Sequence, residues 1–524
     1  MYLLCLIALT IASLTARFVF LESYPFGFSQ HAVVHANIRR KLYEAIFVNN
    51  WDTRTFHTIR DFVVQDQHGP QSLVEALLVP VFGFGFTESR LIVSTLGLLS
   101  LILIVAWATV SLNKWFGLLA GLSIGMAPYC LYFSRSGDSE HVNIYLQGFL
   151  LLYAAQRCVQ RGFVRDYSLL GLAGGLSLYV YATNQLLCVM VLGLVALFQI
   201  APLIRSGWTN CLVRIVGFLL PAVATAGPMI NHHIKNGRSL LLRTPYGTPN
   251  YEFSKTQDLA SQVLKLGKEL FVQGGDPWFA RPHGALADYT LFLLIPGVIT
   301  IVALLRRSRG IQTRSFYFLC AVTAALVLFG GFPAALSPGP AFRRAVLLAI
   351  GLDIIKAFGC YGLALAALRQ TPKFVAYGLI GIVLISYAAY DWSSFLFDSH
   401  TTESNSGNSR VATIQYVRES VEHNKDAIIL LPLGQGFLQR DDFTLFLTFQ
   451  LGYPKELPAS VRMIDLPDLA SGALNDVIVP FQTYQRIVSK SAPLPEGVQY
   501  SNPRIFSNRM GETFVLVDFI RGVP

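Results

Sequence analysis

The sequence predicts an α-helical polytopic membrane protein carrying a small α/β domain at its C-terminal end. Three observations predict this. Apolar residues make up 53% of the 524 positions and charged ones only 14%, with a mean hydropathy of +0.48, a balance far from that of a soluble domain. Apolar runs of about 20 residues, the length a bilayer-crossing helix needs, recur along the first three quarters of the chain. After Trp392 the polarity changes abruptly, and "DSHTTESNSGNSR" reads as a linker of Ser, Thr, Asn and Gly.

Spans are expected near 3–21, 90–111, 116–133, 142–156, 167–184, 186–201, 215–230, 289–305, 316–336, 345–367 and 374–391, about eleven in all. With a cytoplasmic N-terminus, the inner loops hold Lys114, Arg157, Arg161, Arg165, Arg205, Arg214, Arg306, Arg307, Arg309, Arg314, Arg369 and Lys373 against a single acid, Asp166. The positive-inside rule favours that orientation. It accounts for basic residues without a nucleic-acid partner, and none is expected. All ten histidines then fall on the outer side. The first segment lacks a basic n-region and a small-residue cleavage site, so it reads as a retained signal anchor. Arg17, near its outer end, is expected to snorkel to the headgroups.

The expected organisation is a membrane domain over 1–391, a linker over 392–410 and an extracytoplasmic α/β domain over 411–524. Two long outer loops, 22–89 and 231–288, and two short ones, 134–141 and 337–344, interrupt the spans. Within the first loop, "RRKLYEAIF" and "PQSLVEALLVPVFGFGF" read as helices lying in the interface plane, with a true span as the alternative for the second. In the last domain, "VATIQYVRESVEHNK" and "DDFTLFLTFQLGY" read as helices, and "AIILLPL", "VRMIDL", "DVIVPF" and "ETFVLVDF" as strands. It holds no phosphate loop, so an acceptor-binding or packing role is expected. The seven cysteines lie in or beside spans, which implies packing rather than a disulfide framework.

The order "ARFVFLESYPFGFSQHA", "HGPQSLVEALLVPVFGFGFTESRLIVSTLGLLSLILIVAWA", "GLLAGLSIGMAPYCLYFSRSGDSEHV" and "GLAGGLSLYVYATNQLL" resembles the opening half of a GT-C glycosyltransferase. The nearest types are the bacterial polyprenyl-phosphate-sugar-dependent enzymes, similar to protein O-mannosyltransferases and the lipid A aminoarabinose transferase. The likeness is clearest over residues 10–200 and extends through "GGDPWFARPHGALADYTLFLLIPGV" and "PAFRRAVLLAIG" to about 350. It implies an inverting transferase that takes a sugar from a polyprenyl-phosphate donor to an envelope acceptor at the outer face of a bacterial membrane. In that family an acid in the first outer loop, commonly in Asp-Glu-Ala, is the base. Here Gln30-His31-Ala32 occupies the matching place.

The chemistry needs a group to take the acceptor's proton and another to hold charge on the leaving phosphate. His31 is a candidate base because an imidazole titrates near working pH. Asp66, beside His68 in "QDQHGP", is another, and that His-Gly-Pro stretch aligns with a segment lining the family's active site. Gln30, His35, Asp138 and Glu140 are candidate cavity or acceptor-binding residues. His31 and His35, four apart, share a helix face and with a third ligand would suit a divalent metal, although no Glu follows the first His as in HExxH. No other cofactor is expected. For the phosphate, Arg343, Arg344 and Arg135 are outer guanidiniums able to grip oxygens bidentately. Asp353 and Lys356 inside an apolar span are expected to pair structurally or to line a substrate path. Two further readings stay open: a non-catalytic relative that binds lipid-linked sugar, and a lipid-linked-sugar transporter.

Overall fold

In a computed structural model, the structure describes residues 2–19, 21, 30–48, 57, 59–60, 69–83, 86–137, 139–180, 182–235, 264, 267–268, 271, 289–307, 312–331, 345–370, 386, 409–423, 425–430, 458–471, 473–507 and 513–521. The membrane portion is helical: α1 Tyr2–Phe18, α2 Gln30–Tyr43, α3 Gly69–Phe82, α4 Phe86–Ser111, α5 Lys114–Gly125, α6 Pro128–Arg135 and α7 Ser139–Arg161. It continues with α8 Val164–Ser177, α9 Ala182–Arg205, α10 Trp208–Lys235, α11 Leu294–Arg307, α12 Gln312–Phe329 and α13 Val346–Gln370.

Ten of the eleven expected spans therefore coincide with helix, while 374–391 lies, save residue 386, outside the described residues. Length and apolarity sort these helices. Four among the described residues could cross a membrane by that measure, Thr87–Ser111, Thr183–Arg205, Trp208–His232 and Val346–Arg369, or five if α5 and α6 count as one. This is an integral membrane protein.

The span expected over 116–133 is broken, and α5 and α6 meet at 65°. The cause is local. Pro128 has no N–H to give the preceding turn and pushes Ala127 to φ −57°, ψ 140°, out of the helical region. At the other end of α5, Asn113 Oδ1 accepts from the N–H groups of Trp115 and Phe116 at 3.0 Å each, a side-chain cap. In the first loop, α3 has 14 residues with Pro80 inside. Its rise of about 21 Å falls short of the roughly 30 Å apolar core of a bilayer.

The core forms where α4, α5, α7, α12 and α13 meet, with Trp107 against Phe149 at 5.4 Å and Phe116 against Phe358 at 4.5 Å between ring centroids. Gln156 of α7 ties this core to α12 through Ser315 Oγ at 2.5 Å. Helix α10 lies along α8, where a Cβ on Gly175 would strike Thr225 Oγ1 and Ala222 O. Its other flank leaves Val216, Leu220 and Val223 exposed, the apolar face a lipid-contacting helix presents.

The C-terminal unit comprises α14 Ser409–Glu422, β1 Ala427–Leu430, β2 Val461–Ile464, β3 Leu474–Pro480, α15 Phe481–Val488, β4 Val498–Ser507 and β5 Thr513–Arg521. The five strands run in the order β2-β1-β3-β5-β4. β1 pairs parallel with β2 and β3, and β5 pairs antiparallel with β3 and β4. Leu430, Val477, Val479, Val515 and Val517 fill one side of it, and Tyr416 of α14 packs on Phe514 at 5.2 Å. Four expected strands and the first expected helix are present; the helix expected over 441–453 lies outside the described residues. β4 and α15 were not foreseen. "VQYSNPRIFS" is polar and carries Pro503, which a strand tolerates at a sheet edge.

Candidate functional site at the α1 end of the bundle

Helix α1 ends with carbonyls that no further turn can satisfy, and buried side chains of α4 and α6 close on them. Arg135 Nη1 donates to Ala16 O at 2.6 Å, and Arg90 Nη1 to Leu21 O at 2.7 Å. Ser94 Oγ lies 2.9 Å from Ser134 O and 3.2 Å from Arg17 O. Arg17 does not snorkel. It is fully buried, donating to Ser13 Oγ at 2.6 Å and to Gly125 O at 2.5 Å. The α5–α6 break is the reason, since it frees the Gly125 carbonyl for a guanidinium to cap. A Cβ on Gly97 would collide with Ser134, so glycine is what lets α4 come this close to α6.

The first loop contributes a second buried charge. Arg39 of α2 reaches Glu75 of α3, with Nη2 at 2.8 Å and Nε at 3.1 Å from the same oxygen, Oε2. Glu75 Oε1 and both polar atoms of Gln71, one turn earlier, have no protein hydrogen-bond partner. Sequence reasoning missed this pair. Its signal was Glu75 as the only acid in "PQSLVEALLVPVF".

Of the expected site residues, Gln30 and His31 open α2, His35 follows one turn later and is buried, and Glu140 stands in the first turn of α7. Helix α2 packs on both α3 and α7, so Gln30, His31 and His35 are carried on a helix that touches the one bearing Glu140. Arg135 precedes that helix across a tight turn in which Gly137 takes φ 76°, a left-handed value that glycine adopts freely. His141 is buried and stacks on Phe133 at 4.5 Å between rings. Asp66, His68, Asp138, Arg343 and Arg344 lie outside the described residues. Asp353 and Lys356 pair at 3.3 Å, both buried, which supports the structural reading of that pair.

Further along α7, the chain buries neutral polar groups. Asn143 and Gln147 lie four residues apart, and Thr183 and Asn184 open α9. Both side-chain atoms of Asn143 and of Asn184, Gln147 Oε1 and Thr183 Oγ1 are buried without a protein hydrogen-bond partner. A Cβ on Gly148 would sit 3.3 Å from Asn184 Oδ1, so Asn184 abuts the residue next to Gln147. The signal was present in "YVYATNQLLCVM", where Thr183, Asn184 and Gln185 interrupt an apolar run.

Among the described residues no group of three or more His, Cys, Asp or Glu could hold a metal ion. All seven cysteines are free.

No protein-family model matches the sequence, and no curated protein matches it. Solved structures do. ArnT from Cupriavidus metallidurans bound to undecaprenyl phosphate matches with a TM-score of 0.50 and 13% identity, over 98% of this chain and 97% of that one. The apo oligosaccharyltransferase of Archaeoglobus fulgidus matches with a TM-score of 0.48 and 12% identity over 88% of this chain; the match spans 64% of the archaeal enzyme's length, just under two thirds. AglB from the same archaeon, in complex with an inhibitory peptide and a dolichol-phosphate, matches with a TM-score of 0.47 and 12% identity over 98% of this chain and 74% of that one. The chain thus has the fold that the sequence resemblance implied, a GT-C-type helical membrane domain followed by a small α/β unit.

Proposed function

We propose that this protein is an inverting glycosyltransferase that moves a sugar from a polyprenyl-phosphate carrier to an envelope acceptor at the outer face of a bacterial inner membrane. The N-terminus is cytoplasmic and the C-terminal α/β unit extracytoplasmic. The observation that carries this is the match over nearly the whole of both chains to ArnT, which was solved with undecaprenyl phosphate bound. The distribution of Lys and Arg supports the orientation.

In the reaction, an acceptor hydroxyl oxygen attacks the anomeric carbon as the bond from that carbon to the phosphate oxygen breaks. The hydroxyl proton passes to a base of the first loop, His31 or Asp66, with His68 beside the latter. The polyprenyl phosphate leaves as a phosphomonoester with its charge held by Arg343 and Arg344. Arg135 joins them only with donors that its bond to Ala16 leaves over.

Purified protein should release polyprenyl phosphate from a radiolabelled polyprenyl-phosphate sugar when crude envelope acceptor is added. His31→Ala should abolish turnover while carrier binding persists, and His31→Asp should retain activity, because a carboxylate can also accept the proton. Were both variants as active as the parent, the base would be Asp66. Carrier that binds but never turns over would make the protein a non-catalytic relative.

A further inference from the structure

We propose that Arg214 of α10 and Arg314 of α12 hold the phosphate of an anionic phospholipid at the end of the bundle remote from the α1 site. The inference is independent of the transferase reading.

Helix α4 fixes which end this is. Near its start Ser94 reaches Arg17 O beside the α1 site, and at its close the Ser111 carbonyl accepts from Ser315 Oγ at 3.1 Å. Arg314 precedes Ser315, so it stands about 25 Å of helix rise from Ser94.

Side chains of five helices meet there. Arg314 Nη2 lies 3.4 Å from Gln199 Oε1 of α9, and Gln199 Nε2 donates to Cys158 O of α7. The charges of Arg314 and of Arg214 both reach the Cys158 thiol and the Tyr167 phenol of α8. Two guanidiniums from different helices thus converge on one place, and both are partly exposed, open to a ligand.

No acid answers them. Asp166 is the one carboxylate at this end among the described residues, and it is already engaged: Oδ1 lies 3.4 Å from Arg157 Nε, and Oδ2 accepts from the Phe163 N–H. Neighbouring like charges destabilise each other, and a cation within a membrane-crossing helix is costly unless paired. Arg214 lies within such a helix, Trp208–His232. An anion between the two guanidiniums relieves both costs.

The surroundings select a lipid as its source. Val213 and Val216 flank Arg214 on α10 with half their surface exposed, and Leu220 follows one turn on, more exposed still. Trp208, at the start of the helix, is also open, an amphipathic ring suited to the headgroup layer. Acyl chains can lie along this apolar flank while the phosphate oxygens face two forks of N–H donors. A soluble anion gains nothing from the flank, and a choline headgroup brings a cation that the arginines repel.

The test titrates the full chain in detergent micelles with phosphatidylglycerol, with phosphatidylcholine of the same acyl chains and with glycerol phosphate, and reads the bound species by native mass spectrometry. Phosphatidylglycerol should bind the parent about twentyfold more tightly than phosphatidylcholine, since each basic residue near an anionic headgroup contributes roughly fivefold. Arg214→Gln and Arg314→Gln should each lower phosphatidylglycerol affinity about fivefold, and together they should remove the preference. Arg306→Gln, at an exposed arginine near the end of α11, controls for net charge and should change affinity by less than about twofold. Arg214→Lys keeps the charge without the fork; it should retain part of the affinity, and it serves if a glutamine variant does not fold.

Equal binding of the two lipids by the parent would overturn the proposal. So would equal losses from Arg306→Gln and Arg214→Gln, which would reduce the pair to part of a diffuse basic face. Glycerol phosphate binding as tightly as phosphatidylglycerol would assign the arginines to a soluble anion and overturn the lipid. None of these results touches the transferase reading, which the release of polyprenyl phosphate tests separately.

Discussion

The buried arginines at the end of α1 and the buried amides of α7 and α9 lie at one end of the same bundle, yet they are treated differently. Arg17 and Arg135 each meet a main-chain carbonyl left over by a helix end, Arg90 meets the carbonyl of Leu21 just past α1, and Arg39 meets Glu75. The carboxamide atoms of Asn143 and Asn184 have no hydrogen-bond partner among the described residues. An unmatched buried charge costs several kcal/mol and an unmatched amide about 1–3, so a chain must pair the former and can hold the latter in reserve. Charge here builds the scaffold, together with paired amides such as Gln156 on Ser315.

The contrast can be broken most severely at the ion pair. Glu75→Ala strands a buried guanidinium and should lower stability by about 3–5 kcal/mol, whereas the double change Arg39→Leu with Glu75→Leu should recover most of it; unfolding in detergent micelles distinguishes the two. Arg135→Ala should cost less, about 1.5–3 kcal/mol for a bond from a charged donor. If Arg135 also grips the leaving phosphate, carrier affinity falls in step with it, and Arg135→Lys, which keeps a single donor for Ala16 O, restores stability but not affinity.

Gly175→Ala tests packing without charge. Its Cβ would meet Thr225 and Ala222, and overpacking of this kind costs about 1–3 kcal/mol. Of the opposite sign is Gln147→Leu, which should leave unfolding unchanged or raise stability by about 1 kcal/mol, as removal of an unsatisfied oxygen does. The smallest effect belongs to Arg418 and Glu422, paired at 2.9 Å on α14 with both side chains more than half exposed. Glu422→Gln should shift stability by no more than about 0.5 kcal/mol, since solvent screens such a pair. A larger change there would end the claim that burial, and not charge alone, decides the scaffold.

The helices were legible because run length and polarity are local properties of a sequence. Asp353 and Lys356 were legible for a related reason: three residues apart in an apolar run, they leave few partners but each other. The bend between α5 and α6 was encoded in Pro128, but an apolar run on both sides masks a local break. Arg39 and Glu75 are 36 residues apart in the chain, and nothing short of packing α2 on α3 announces their pairing. Arg17 was misread because snorkelling and capping draw on the same long side chain, and only the freed Gly125 carbonyl decides between them. The amides of α7 and α9 were passed over as ordinary interruptions of apolar runs, for a sequence does not say which polar side chains lack partners. Gln30, His31, His35 and Glu140 came from resemblance and spacing, and they fall on helices in contact or their immediate neighbours.

Among the described residues, the C-terminal sheet ends on two strands of unequal character. β2 is four residues long, and β4 carries Pro503 beside an irregular register between Ser501 and Arg504, with Asn502 at φ 49°. A strand that is too short, and one that lacks an amide and twists out of line, are both poor templates for a stranger's backbone. Many copies could therefore crowd side by side in one membrane without their sheets joining edge to edge into fibrils.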